Sequence, residues 1–166
     1  METAGIVISA LLVIAGWLVN GYFARKLQRK QLAVNVLFGV HENEALISSM
    51  QAVFKKLNSD HNYDWKKLAQ CRYDKQPCSQ DEEKLGEHVT NVLNHFESLS
   101  IAVLNKAVDN DVIKWSKQSM INRLYQNISP FIEEARRLLH DKKSWCYFEQ
   151  LAKQWTEVIN PVRPTG

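Results

Sequence analysis

The sequence is short of the marks that chemistry leaves on a chain. It has no G-x-S-x-G elbow, no P-loop and no G-x-G-x-x-G fingerprint, so an activated serine, a phosphate-cradling loop and a dinucleotide fold all lack their local signature. Its five histidines make no H-E-x-x-H or other ligand spacing, and its three cysteines, Cys71, Cys78 and Cys146, lack the close C-x₂₋₄-C pairing of a zinc site even with His61 and His88 as further ligands. No metal, cofactor or catalytic residue is expected, and the chain reads as no enzyme. The run Asp81-Glu82-Glu83 falls in the first turn of a helix, where the helix dipole accounts for it. Basic pairs such as Lys55-Lys56 and Arg136-Arg137 are scattered rather than striped, so nucleic acid is not expected as a partner. His88 and His95 are expected to be solvated. Hairpin signals, internal repeats and low-complexity segments are missing as well, which leaves an all-α fold.

Charge is absent from residues 5–24, GIVISALLVIAGWLVNGYFA. At 1.5 Å per residue such a run covers about 30 Å, the thickness of a bilayer's hydrocarbon core. The reading is a transmembrane anchor over residues 1–24, followed by the basic residues Arg25, Lys26, Arg29 and Lys30. Basic flanks stay on the cytoplasmic side, so the expected placement is a single-pass protein of the inner (cytoplasmic) membrane, N-terminus out and domain in the cytoplasm, with the lipid bilayer as a partner. Reduced cytoplasmic thiols follow. Within the span, Gly16 and Asn20 lie one turn apart and form the expected membrane-association face of a homo-oligomer.

What is present beyond residue 24 is helical periodicity. A juxtamembrane stalk helix is expected over 25–43, a helical bundle over 44–160 and a polar tail over 161–166. Asn43 caps a helix carrying Leu46, Met50, Val53 and Leu57, and Ser79 with Glu82 forms a capping box. Behind that box Leu85, Val89, Val92, Phe96, Leu99 and Val103 alternate at four and three, the pattern of a central core helix. The turn 109–111 caps the next helix, which should run antiparallel to it, and Pro130 should kink or briefly break that helix. Ser144 is expected to cap a last helix with Phe148, Leu151, Trp155 and Ile159 inward, while Cys71 opens the longest irregular stretch. Core packing or edge coverage is the expected role of Trp115, Tyr125, Trp145 and Tyr147.

Glu97 is the one ionisable residue inside the apolar arc of the central helix, between Leu93 and Ile101. A buried carboxylate needs a cation or hydrogen-bond donors, so the predicted buried polar network joins Glu97 to Asn94 and to Arg136, with Arg123 as the alternative cation.

The words Asn94-His95-Phe96-Glu97, the turn 109–111, Phe131-Ile132 with Arg136, and Tyr147-Phe148-Glu149-Gln150-Leu151 with Trp155 resemble a bacterial and phage-associated family of unknown function. In that family a single N-terminal span precedes a small cytoplasmic helical domain. The resemblance implies no catalytic residues, and some such proteins are similar to small membrane components encoded among bacteriophage-defence genes. The Cys71–Cys78 loop departs from the pattern. The expected function is a membrane-anchored protein-interaction or assembly module that binds copies of itself or a partner protein. Its rival is a membrane-disrupting effector whose spans oligomerise and depolarise the membrane.

Overall fold

The computed structural model describes residues 2–39, 43–74 and 77–157, with the side chains of 2–10 and 157 left aside. Among the described residues six helices follow one another, α1 (Glu2–Gly39), α2 (Glu44–Ser59), α3 (Trp65–Tyr73), α4 (Gln80–Leu104), α5 (Asn110–Leu139) and α6 (Cys146–Glu157). No strand occurs among the described residues, and the fold is all-α.

The helices start where short polar side chains can replace the missing turn. Asn43 accepts from the Leu46 amide at 3.0 Å, Asp64 from Lys67 at 3.0 Å, and Asp109 Oδ1 from Asp111 and Val112 at 3.1 and 3.2 Å. The box before α4 is complete: Ser79 Oγ takes the Glu82 amide while the Glu82 carboxylate takes the Ser79 amide. Helix ends fall at left-handed residues that are not glycine, Lys106 (φ 57°) after α4 and His140 (φ 53°) after α5.

The core lies where the apolar stripes meet. Val89, Val92, Leu93 and Phe96 of α4 are fully buried, as are Ile121, Leu124, Ile128 and Phe131 of α5 and Phe148, Leu151 and Ala152 of α6. Helices α3 and α6 each contact both α4 and α5, which touch each other little directly. Trp65 and Leu68 of α3, with Phe148 and Trp155 of α6, bring too much buried bulk for those two helices to close up.

Three expectations are corrected here. Of the kink or brief break expected at Pro130, the break does not occur, and α5 runs on through it; Gln126, whose carbonyl loses its donor, and Pro130 are both exposed, so the freed acceptor is open to solvent. Cys71 is not in a loop but in the last turns of α3, and it forms a disulfide with Cys78 across 5.8 Å between Cα atoms, leaving Cys146 as the free cysteine. The expectation of three reduced thiols therefore fails. The third correction concerns placement: no helix among the described residues is long and apolar enough to cross a membrane. This overturns the single-pass inner-membrane placement and, with it, the anchor and topology read from residues 5–24. Ile159 and the tail 161–166 lie outside the described residues.

The helix predicted as a stalk is continuous with the apolar run, and α1 extends unbroken from Glu2 to Gly39. Its C-terminal end docks on the bundle through the fully buried Ala33, with Val36 and Leu37 half-buried against the core. The carbonyl of Arg29 also accepts from the Asp109 amide at 3.2 Å, tying α1 to the start of α5.

Candidate functional site

Two polar clusters, one apolar helix and one charged groove are the parts of this fold that packing alone does not explain. The first cluster holds α6 in place. Glu97 of α4 accepts from the Phe148 amide at 2.7 Å and the Tyr147 amide at 3.3 Å. It thus caps α6 from a different helix, in place of the predicted Ser144, whose hydroxyl bonds Asp141. Asn94, one turn before Glu97, accepts from the Trp145 indole at 2.8 Å. Trp145 sits with φ 56° at the entry to α6, so the indole bond pins the residue whose backbone is most constrained there.

The predicted cations go elsewhere. Arg136 donates to the Ser144 carbonyl at 2.8 Å and to Glu149 at 2.6 Å, and the exposed Arg123 donates to Asn58. Neither reaches Glu97, so the expected network of four residues does not exist as one unit. The physical reason is that α6, not α5, faces this turn of α4. Its N-terminal amides carry the partial positive charge that answers a carboxylate, and Glu97 is half-buried and Asn94 exposed rather than buried as expected.

Sequence reasoning missed two of the acids that pair with arginine, Glu149 and Glu134. Burial alone would raise Glu149, but hydrogen bonds from Lys153 and Arg136 and the charges of both bring its carboxyl down to about 2. Tyr125 donates to the same carboxylate at 3.2 Å. Glu134, 5% exposed, is held at about 2 first by the hydrogen bond from Arg137 and then by that from Gln70. Its position beside Phe131, Ile132 and Ala135 was the available signal.

The second cluster pairs Ser49 with His88, Oγ to Nδ1 at 3.0 Å. Ser49 Oγ also bonds the Ala45 carbonyl at 2.9 Å and Ser49 is 1% exposed. Its proton is therefore engaged with backbone and no substrate carbonyl can approach, so the pair is a packing contact between α2 and α4. His88 is half-buried, and burial together with Lys117 lowers the pKa of the half-buried His95. Both depart from the solvated role predicted for them.

The apolar helix is α1. Every described residue from 11 to 32 is exposed, among them Trp17 at 78%, Leu18 at 70% and Leu12 at 69%. Gly16 and Asn20 are exposed too, and nothing lies within 4 Å of a Cβ built on Gly16. Arg25, Lys26, Arg29 and Lys30 project from the same helix near its docked end, exposed and in no ion pair among the described residues. They border two hollows of about 480 and 490 Å³ against the α4–α5 turn. Trp115, 92% exposed, stands at one of them, which corrects its predicted packing role.

A family of a domain of unknown function, DUF4760, matches residues 4–155, which covers α1 and the bundle together. The chain belongs to this family. No curated protein and no solved structure matches it. The family spans the apolar part of α1 as well as the core, so the exposed helix is part of the family's unit and not an appendage to it.

Proposed function

We propose that the chain is an assembly module, in which the bundle carries α1 as an apolar contact helix that associates with copies of itself or with a partner protein. The observation that carries this reading is the exposure of nine large apolar side chains between Leu11 and Phe23. At roughly 100 Å² apiece they leave more apolar surface in water than the ~300–600 Å² of the largest patch on a typical monomer. A helix apolar on all sides is a helix that is covered when it works. The open surface at Gly16, with Asn20 one turn on, supports close helix-to-helix approach there. The bacterial, phage-defence setting belongs to the proposal on the strength of the resemblance carried by Asn94-His95-Phe96-Glu97 and Tyr147-Phe148-Glu149. The reading assigns no reaction, cofactor or metal.

Chemical crosslinking and light scattering of the full chain in a mild detergent test the assembly. The expected result is a dimer or larger species that weakens in Gly16→Leu and Asn20→Leu. A monomer that captures no partner overturns the reading. Loss of protection against bacteriophage on deletion of the gene tests the setting, and unchanged plating sinks it.

A further inference from the structure

The groove at the foot of α1 has the composition of a ligand site. On one face of the helix Tyr22, Arg25, Lys26 and Arg29 recur at spacings of three, one and three, and across from them stand Lys106 and the first turn of α5. Lys26, Asp109 and Asp111 border both hollows, so the two adjoin, and the second adds Lys30 and Trp115. Five cations therefore gather around two carboxylates, and none of the five has an ion-pair partner among the described residues. Like charges held this close repel, and lowering that repulsion calls for an anion with several negative charges.

Three details narrow the anion. Two of the five cations are arginines on successive turns, suited to paired hydrogen bonds to phosphate oxygens. Asp109 uses Oδ1 to cap α5, which leaves Oδ2 for a ligand hydroxyl, and Asp111 engages Oδ1 with the Asn110 amide at 3.3 Å. A carboxylate in an anion site is unfavourable for bare phosphate and favourable for a ligand that also brings hydroxyl donors. Finally, Trp115 offers a bare indole face beside Lys26 and Lys30, and an aromatic base stacks on such a face.

From this geometry we propose that the groove between α1 and the α4–α5 turn binds a nucleoside diphosphate or triphosphate, with phosphates on Arg25, Arg29 and Lys106, sugar hydroxyls at Asp109 and Asp111, and the base on Trp115. The site shares only Tyr22 with the apolar face between Leu11 and Phe23, none of its proposed ligand contacts lies on that face, and it stands whether or not that face assembles.

Calorimetric titration of the full chain in non-ionic detergent with ADP, pyrophosphate and adenosine tests it. ADP is expected to bind once per chain, more tightly than either fragment and more weakly as salt rises. The double variant Arg25→Gln, Arg29→Gln should bind ADP at least about tenfold more weakly. Trp115→Ala should lose roughly 5- to 100-fold for ADP and nothing for pyrophosphate, since only the base is unstacked. All three side chains are exposed, so both variants should melt with the parent. Overturning results are ADP binding that neither variant changes, equal affinity for ADP and pyrophosphate, or binding to phosphatidylglycerol vesicles with none to ADP.

Discussion

Replacing Glu97 by alanine removes the acceptor for two backbone amides at the start of α6, and the two losses differ. The Phe148 bond is short, 2.7 Å, charge-assisted, and attached to a residue whose side chain is fully buried. Left without a partner, that amide costs about 1–2 kcal/mol. The Tyr147 bond is long, 3.3 Å, and its residue is 43% exposed, so water replaces it for a few tenths of a kcal/mol. The sum, about 2 kcal/mol, matches the upper range for a lost helix cap. In a domain of this size it corresponds to roughly 6 °C in melting temperature. Glu97→Gln keeps one carbonyl acceptor and loses the charge, for about 1 kcal/mol. Thermal unfolding of both variants reads the global effect, and the amide resonance of Phe148 should be among those that move most. An alanine variant within 0.5 kcal/mol of the parent, or a Phe148 amide that does not shift, refutes the cap. A loss above about 4 kcal/mol would instead indicate an uncompensated buried charge, the outcome of an arginine partner, which this geometry denies.

Thiol titration in denaturant should find one reactive cysteine before reduction and three after it. Opening the short Cys71–Cys78 loop by Cys78→Ser should cost about 2–3 kcal/mol on the chain-entropy account, and three free thiols without reductant would remove the bridge. On the acid side, the Glu149 and Glu134 carboxyls titrate at about 2 in the fold, below the ~4.3 of an unfolded chain. The unfolded chain therefore takes up those protons first. The stabilisation is complete above about pH 4.5 and disappears as pH falls towards 2. Urea midpoints across that range should fall less steeply in Glu149→Gln, and parallel curves would contradict its pairing with Arg136. Phe148→Ala empties a fully buried site beside Phe96 and Tyr125, at ring separations of 6.0 and 6.1 Å. It should cost about 3–5 kcal/mol by urea unfolding, and a loss under 1 kcal/mol would mean that α6 is not docked as described.

Local rules carried far in this chain. Ser79 with Glu82, Asn43 and Asp109 cap the helices their spacing indicated, and Val89, Val92, Phe96, Ile121, Leu124 and Phe148 are buried as their stripes required. Those features depend on residues three or four apart, which a sequence displays directly. Other features required the packing of one helix on another. Glu97 reads as buried from its own helix, but whether an arginine or a helix terminus answers it depends on α3 and α6 entering between α4 and α5. Cys71 and Cys78 pair because α3 runs on to Tyr73 and brings the two Cα atoms within 5.8 Å. Arg25, Arg29, Lys106 and Trp115 are scattered over 91 positions of sequence, and only the docking of Ala33 and the Arg29–Asp109 backbone bond gathers them at one groove. Helix formation and capping are local and additive along the chain, whereas a carboxylate's partner or a groove's lining is set by which surfaces exclude water against each other, and that is a property of the folded whole.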